Sequence, residues 1–167
     1  MWQKKYKTFE VYLRNIVFGV EDSLVSTVGF LSGIAVANIP QKSLLLTGFV
    51  LISVEAFSMG VGSFLSEHSV DEYENHHTTR LKKAILAGVV MFVSYFFSGF
   101  IPLTPYILLP SRLAFGFSIF VSLIALFILG IFTARWIKRS MIIHGIEMVI
   151  LGGLAIFMGM VVGNIMQ

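Results

Sequence analysis

Five stretches of this chain, near residues 15–37, 44–66, 83–101, 113–134 and 141–165, are each apolar for about the 20 residues that a helix needs to cross roughly 30 Å of hydrocarbon. Short polar punctuation separates them, which is how successive bilayer spans read. The balance of residues agrees: 56% are hydrophobic and only 13% are charged, with a mean hydropathy of +0.87. A water-soluble domain of 167 residues needs a far more polar surface. The expected fold is an all-α integral membrane protein, a single domain over residues 1–167 with five transmembrane helices. Residues 67–82 are left as a short acidic and histidine-bearing loop.

Punctuation and charge set the topology. Asn38-Ile39-Pro40-Gln41 reads as a tight turn between the first two spans, and Pro102 and Pro105 are expected to end the third. Lys4, Lys5, Lys7, Arg14, Arg80, Lys82, Lys83, Arg135, Lys138 and Arg139 fall on one side of the membrane, and only Lys42 and Arg112 on the other. That bias predicts a cytoplasmic N-terminus and a C-terminus on the outer or lumenal face. It also accounts for the net charge of +3 without a nucleic-acid partner, which would need these residues on one soluble face. The basic start is followed by Glu10 and Arg14 with no small-residue cleavage site, so no removable signal peptide is read. The chain has no cysteine, which excludes disulfides and thiolate metal ligands.

Four of the nine acidic residues lie inside the expected spans: Glu21 and Asp22 in the first, Glu55 in the second and Glu147 in the fifth. Each charge at mid-membrane costs roughly 2.5–3.5 kcal/mol even on a lenient scale, so four of them ask for a function. Asp22 lies about seven residues, roughly 10 Å, from the cytoplasmic end of its span. Met59 and Glu147 are expected at similar depth, and Glu55 one turn deeper than Met59 on the same helix face. Ser26 follows Asp22 along one stripe with Asn15, Gly29 and Gly33, and Ser63 follows Met59 along another with Gly62 and Ser66. These stripes read as the walls of a crevice, while Glu21 points about 100° away from Asp22, toward another helix. Carboxylate oxygen suits divalent cations, and a thioether adds a preference for transition metals. Carboxylates also take up protons, so a metal ion and protons can exchange at the same groups. The site expected from these residues is a metal translocation site of Asp22, Glu55, Met59, Glu147 and Glu21, lined by Ser26 and Ser63.

The polar segment after the second span carries two rows at helical spacing, His68, Glu72 and His76, and Glu67, Asp71 and Glu74. Imidazole and carboxylate suit iron, manganese and zinc, so these six residues are candidates for capturing ions at the pathway entrance; a solvated charged helix end is the plainer reading. No zinc-protease, nucleophile-elbow or phosphate-loop motif appears, and no enzymatic activity is expected. Gly159 and Gly163 read as helix packing, including packing between subunits.

Phe18-Gly19-Val20-Glu21-Asp22-Ser23-Leu24-Val25-Ser26-Thr27, Phe57-Ser58-Met59-Gly60-Val61-Gly62-Ser63-Phe64-Leu65-Ser66 and Ile101-Pro102-Leu103-Thr104-Pro105-Tyr106 resemble the vacuolar iron transporter family in order and spacing, over nearly the whole chain. The resemblance implies a homodimer with a pathway between subunits, lined by the first two helices of each. It implies export of ferrous iron or manganese from the cytosol against protons, with the ion as cargo and no permanently bound cofactor. Asp22 and Met59 match the pathway aspartate and methionine. The chain departs from the pattern at Ser23, where glycine is usual, and at Ser63, where glutamate is usual; Glu55 offers a substitute carboxylate one turn away. The cytoplasmic metal-binding domain of longer members is reduced to roughly the 67–82 loop.

Together these observations predict a proton-coupled exporter of a divalent transition metal. The competing expectation is a non-transporting membrane scaffold or metal sensor that uses residues 67–77. The small size favours a prokaryotic plasma membrane over a vacuolar or other organelle membrane.

Overall fold

A computed structural model describes residues 2–75 and 81–166; the side chains of residues 2–8, 74, 75 and 137 fall outside that description. Five helices follow one another: α1 (Trp2–Val36), α2 (Gln41–Asn75), α3 (Leu81–Leu108), α4 (Ser111–Ile137) and α5 (Met141–Ile165). Each is long and apolar enough to cross a bilayer, and no strand occurs among the described residues. α1 and α2 have 35 residues each, about 52 Å of helix, so they exceed the hydrocarbon by some 20 Å. The excess lies at the start of α1 and the end of α2, where polar sequence continues the helix without a breaking residue.

α1 is the central helix and touches the other four. Its residues Leu24, Val28 and Leu31 are fully buried, and so are the hydroxyl-bearing Ser23, Thr27 and Ser32. Leu31 joins Leu44, Ile52, Leu103, Tyr106 and Ala114 in one core cluster, and Leu24 joins Leu126 and Met148 in a second. α2 packs chiefly on α3. That leaves Val54, Phe57, Ser58, Val61, Gly62 and Leu65 exposed along its outer face.

One expectation is corrected. α3 does not end at Pro102 but runs through both prolines to Leu108. Each proline removes one backbone donor, yet both are buried, Leu109 N–H closes the next turn on the Pro105 carbonyl at 2.9 Å, and Ser118 Oγ donates to the Pro102 carbonyl at 2.7 Å. Packing against neighbouring helices and side-chain hydroxyls sustains a proline-bearing helix in a membrane. The glycine pair of α5 does serve helix packing: Gly159 and Gly163 lie against the backbone of Gly29 and Gly33 on α1. Without side chains at these positions the two helices meet backbone to backbone, a close approach that supplies van der Waals contact where lipid removes the hydrophobic drive.

The described connections are short. Asn38 adopts the left-handed conformation (φ 55°) in the turn from α1 to α2, which asparagine tolerates better than most residues. Gln41 then ties three helix ends together: its Nε2 donates to the carbonyls of Tyr106 (2.5 Å) and Leu109 (2.9 Å), and its Oε1 accepts from Ser111 Oγ (3.0 Å).

Candidate functional site

α1 carries Asp22 and Ser26 one turn apart on one face, and α2 presents Glu55 to that face. Glu55 Oε2 is the focus. It accepts a hydrogen bond from the Tyr95 hydroxyl of α3 and another from Ser26 Oγ at 3.1 Å. The Ser26 and Tyr95 oxygens are themselves 2.6 Å apart, so three helices meet in a triangle of oxygens. Asp22 is near enough to Glu55 for their negative charges to act on each other. Both acids are half-buried and both lie in spanning helices. Two half-buried carboxylates this close repel each other, and a positive charge or a proton between them relieves that repulsion.

Ser23 has a structural explanation. It is fully buried, and its Oγ donates to the backbone carbonyl of Tyr95 at 2.6 Å, fixing α3 against α1 at the level of the site. Asn15 makes a similar tie two turns earlier, from Nδ2 to the Ala87 carbonyl at 3.3 Å. The stripe on α1 is therefore shared among partners: Asn15 faces α3, Ser26 faces Glu55, and Gly29 and Gly33 face α5.

Met59 and Ser63 follow Glu55 along α2, one and two turns on, and both are half-buried. Glu21 turns the other way, where its charge interacts with His144 of α5. His144 Nδ1 is 2.9 Å from Glu147 Oε2, and Glu147 is exposed. Glu21 and Glu147 thus belong to a polar group on the α5 side of α1. Among the described residues, no three histidine, aspartate or glutamate side chains converge closely enough to hold a metal ion by themselves.

The two rows after the second span have different environments. Glu67 is buried and ion-paired with Lys83 of α3, and Asp71, on the same row, is buried too. His68 and Glu72 form the open row, with Nδ1 and Oε2 3.9 Å apart. The Glu74 side chain and His76 lie outside the described residues.

Tyr95 is the site residue that sequence reasoning missed. A tyrosine amid Phe92, Phe96, Phe97 and Phe100 reads as one more packing aromatic. The signal was its hydroxyl, since a buried phenol in lipid needs a partner and the acid of α2 is the strongest acceptor within reach.

Comparison with known proteins adds to this geometry. The VIT family profile matches residues 13–87 and 72–164, two stretches that overlap at the junction of α2 and α3. The chain is 21% identical to vacuolar iron transporter 1 of Tulipa gesneriana over 216 aligned positions, covering 92% of this chain and 86% of that protein. It is 21% identical to vacuolar iron transporter 1 of Arabidopsis thaliana, covering 91% and 85%. Vacuolar iron transporter homolog 4 of Arabidopsis thaliana is 38% identical over 63 residues, 38% of this chain. Alignments longer than the chain itself mean that the first two relatives carry residues this chain lacks. With a family match running through all five helices of a multi-pass membrane protein, the chain belongs to the VIT family.

Proposed function

We propose that this chain is a proton-coupled carrier that moves ferrous iron or manganese out of the cytosol. The observation that carries the reading is the convergence of two half-buried acids, Asp22 and Glu55, from two spanning helices, beside the hydroxyls of Ser26 and Tyr95. Met59 lies one turn from Glu55 toward the cytoplasm and adds a soft ligand on the approach. The relatives are named as iron transporters, which supports the choice of cargo. Proton coupling follows from the chemistry of the pair, since two neighbouring carboxylates relieved of a cation regain neutrality by taking up protons.

The functional unit is a homodimer in this reading. Two carboxylates and a thioether give an ion too few ligands, and a second copy placed against the exposed face of α2 supplies another set. The overlap of the two matched stretches at residues 72–87, with the extra length of the relatives, supports a shortened cytoplasmic domain at the α2–α3 junction. Ion capture then falls to the open row of His68 and Glu72, while Glu21 and Glu147 serve the approach from the α5 side. The excess of basic residues on one side supports a cytoplasmic N-terminus. We assign the chain to a prokaryotic plasma membrane on the strength of this shortened form.

The test is flux in reconstituted vesicles bearing a pH gradient, with ferrous iron, manganese and zinc compared. Metal accumulation that dissipates the gradient supports the carrier. Metal binding without flux supports the second reading, a membrane sensor built on half-buried His68 and exposed Glu72.

A further inference from the structure

We infer that Tyr95 and Ser26 are positioning residues that hold Glu55 as a one-oxygen ligand, with Oε2 retained by their hydroxyls and Oε1 offered to the ion. This rests on the proposed carrier function and specifies how its second carboxylate works. The Tyr95 hydroxyl donates to Oε2, Ser26 Oγ lies 3.1 Å from the same oxygen and 2.6 Å from the Tyr95 oxygen, and among the described residues no donor addresses Oε1. A glutamate side chain has several rotatable bonds and can swing between one-oxygen and two-oxygen binding. The Tyr95 donor on one oxygen, braced by Ser26, removes that freedom and leaves the other oxygen to face the cation, as outer-shell donors do around metal-bound carboxylates.

The framework behind the two hydroxyls is rigid. Tyr95 is fully buried, and its own carbonyl is held by Ser23 at 2.6 Å. Ser26 sits on the central helix, one turn from Asp22, and its oxygen is 2.6 Å from that of Tyr95; with the phenol proton on Oε2, the single Ser26 proton is shared between Oε2 and the Tyr95 oxygen. Four phenylalanines surround Tyr95 in the sequence of α3, at 92, 96, 97 and 100. Packing alone is served by phenylalanine there; the hydroxyl occurs where the helix passes Glu55. One-oxygen binding also keeps the ion weakly held, which suits a carrier that must release it.

The experiment uses the full chain and Mn2+ as the probe. Binding is read by the loss of the free-Mn2+ paramagnetic signal, and flux in vesicles is measured in parallel. Tyr95→Phe is expected to weaken Mn2+ binding and raise the KM for flux by roughly ten- to hundredfold. Ser26→Ala should act in the same direction by a smaller factor, and serves if Tyr95→Phe does not fold. In a Glu55→Gln background, Tyr95→Phe should change Mn2+ affinity by no more than about twofold, because the group it positions is already altered. Tighter or unchanged binding in Tyr95→Phe, or the same loss in both backgrounds, overturns the inference. Unaltered protein that binds Mn2+ with this pattern but carries no metal across the membrane sinks the carrier reading and leaves the positioning role standing. Flux with a KM indifferent to Tyr95 does the reverse.

Discussion

Gly159 of α5 lies so close to Gly29 of α1 that a Cβ built on it would stand 1.9 Å from the Gly29 carbonyl oxygen. The same holds one turn on, where a Cβ on Gly163 would stand 2.1 Å from the Gly33 oxygen. Backbone cannot yield as a flexible side chain can, so Gly159→Ala must push α5 off the central helix. Overpacking of this kind costs about 1–3 kcal/mol. The thermal midpoint of the detergent-solubilised protein should fall for Gly159→Ala and Gly163→Ala. Gly153→Ala, on the same helix with no neighbouring heavy atom within 4 Å, should leave it unchanged. Equal midpoints for all three would remove this seam from the account of the fold.

The absence of cysteine makes the topology directly testable. Lys42 and Arg139 are both exposed at helix connections, at opposite ends of the bundle. In intact cells, Lys42→Cys should react with a membrane-impermeant maleimide, and Arg139→Cys only after permeabilisation. Labelling in the opposite order would invert the orientation drawn from the basic residues and, with it, the direction of transport.

The five helices were legible because lipid imposes a minimum apolar length, and the sequence meets it five times. Helix ends were less legible. Nothing in an apolar-block reading says that α2 continues to Asn75, because beyond the headgroups the helix is held by contacts such as Glu67–Lys83 rather than by hydropathy. Pro102 misled for a related reason: its local effect is to break a helix, and burial, with the Ser118 hydroxyl of α4 on its carbonyl, outweighs it. At the site, Asp22 and Glu55 stood out because an acid in an apolar block is costly. Tyr95 did not, since its meaning depends on which α2 residue lies across from it, a relation between residues 40 apart that no local pattern encodes.

Asp22 and Glu55 are the acids on which transport should depend. Asp22→Asn and Glu55→Gln keep the size and polarity of each side chain and remove its charge. Both are expected to reduce metal flux to background in vesicles while the protein still folds and inserts. Glu147→Gln should lower the rate without abolishing it, because its carboxylate is exposed and engaged with His144. Full activity in both the Asp22 and Glu55 variants would remove the ion from this crevice.

The two rows at the end of α2 should separate by what their loss affects. The Glu67 side chain is 6% exposed and paired with Lys83. Removing one partner of a buried ion pair leaves the other charge uncompensated, at a cost of about 3–5 kcal/mol in a fully buried setting. Lys83, at 21% exposure, retains some access to water, which puts the expected loss for Lys83→Met at the lower end of that range. Both Lys83→Met and Glu67→Ala should lower the thermal midpoint, and the folded fraction should transport with an unchanged KM. His68→Ala with Glu72→Ala should do the opposite, because Glu72 is exposed, His68 is half-buried with only a tilted ring contact to Phe64, and the two make only a 3.9 Å contact. Stability should change by no more than about 0.5 kcal/mol, with the KM for metal raised several-fold and flux slowed but present. A KM that rises on loss of Glu67 and ignores His68 and Glu72 would return ion capture to the buried row and make the Lys83 pairing a state that metal must displace.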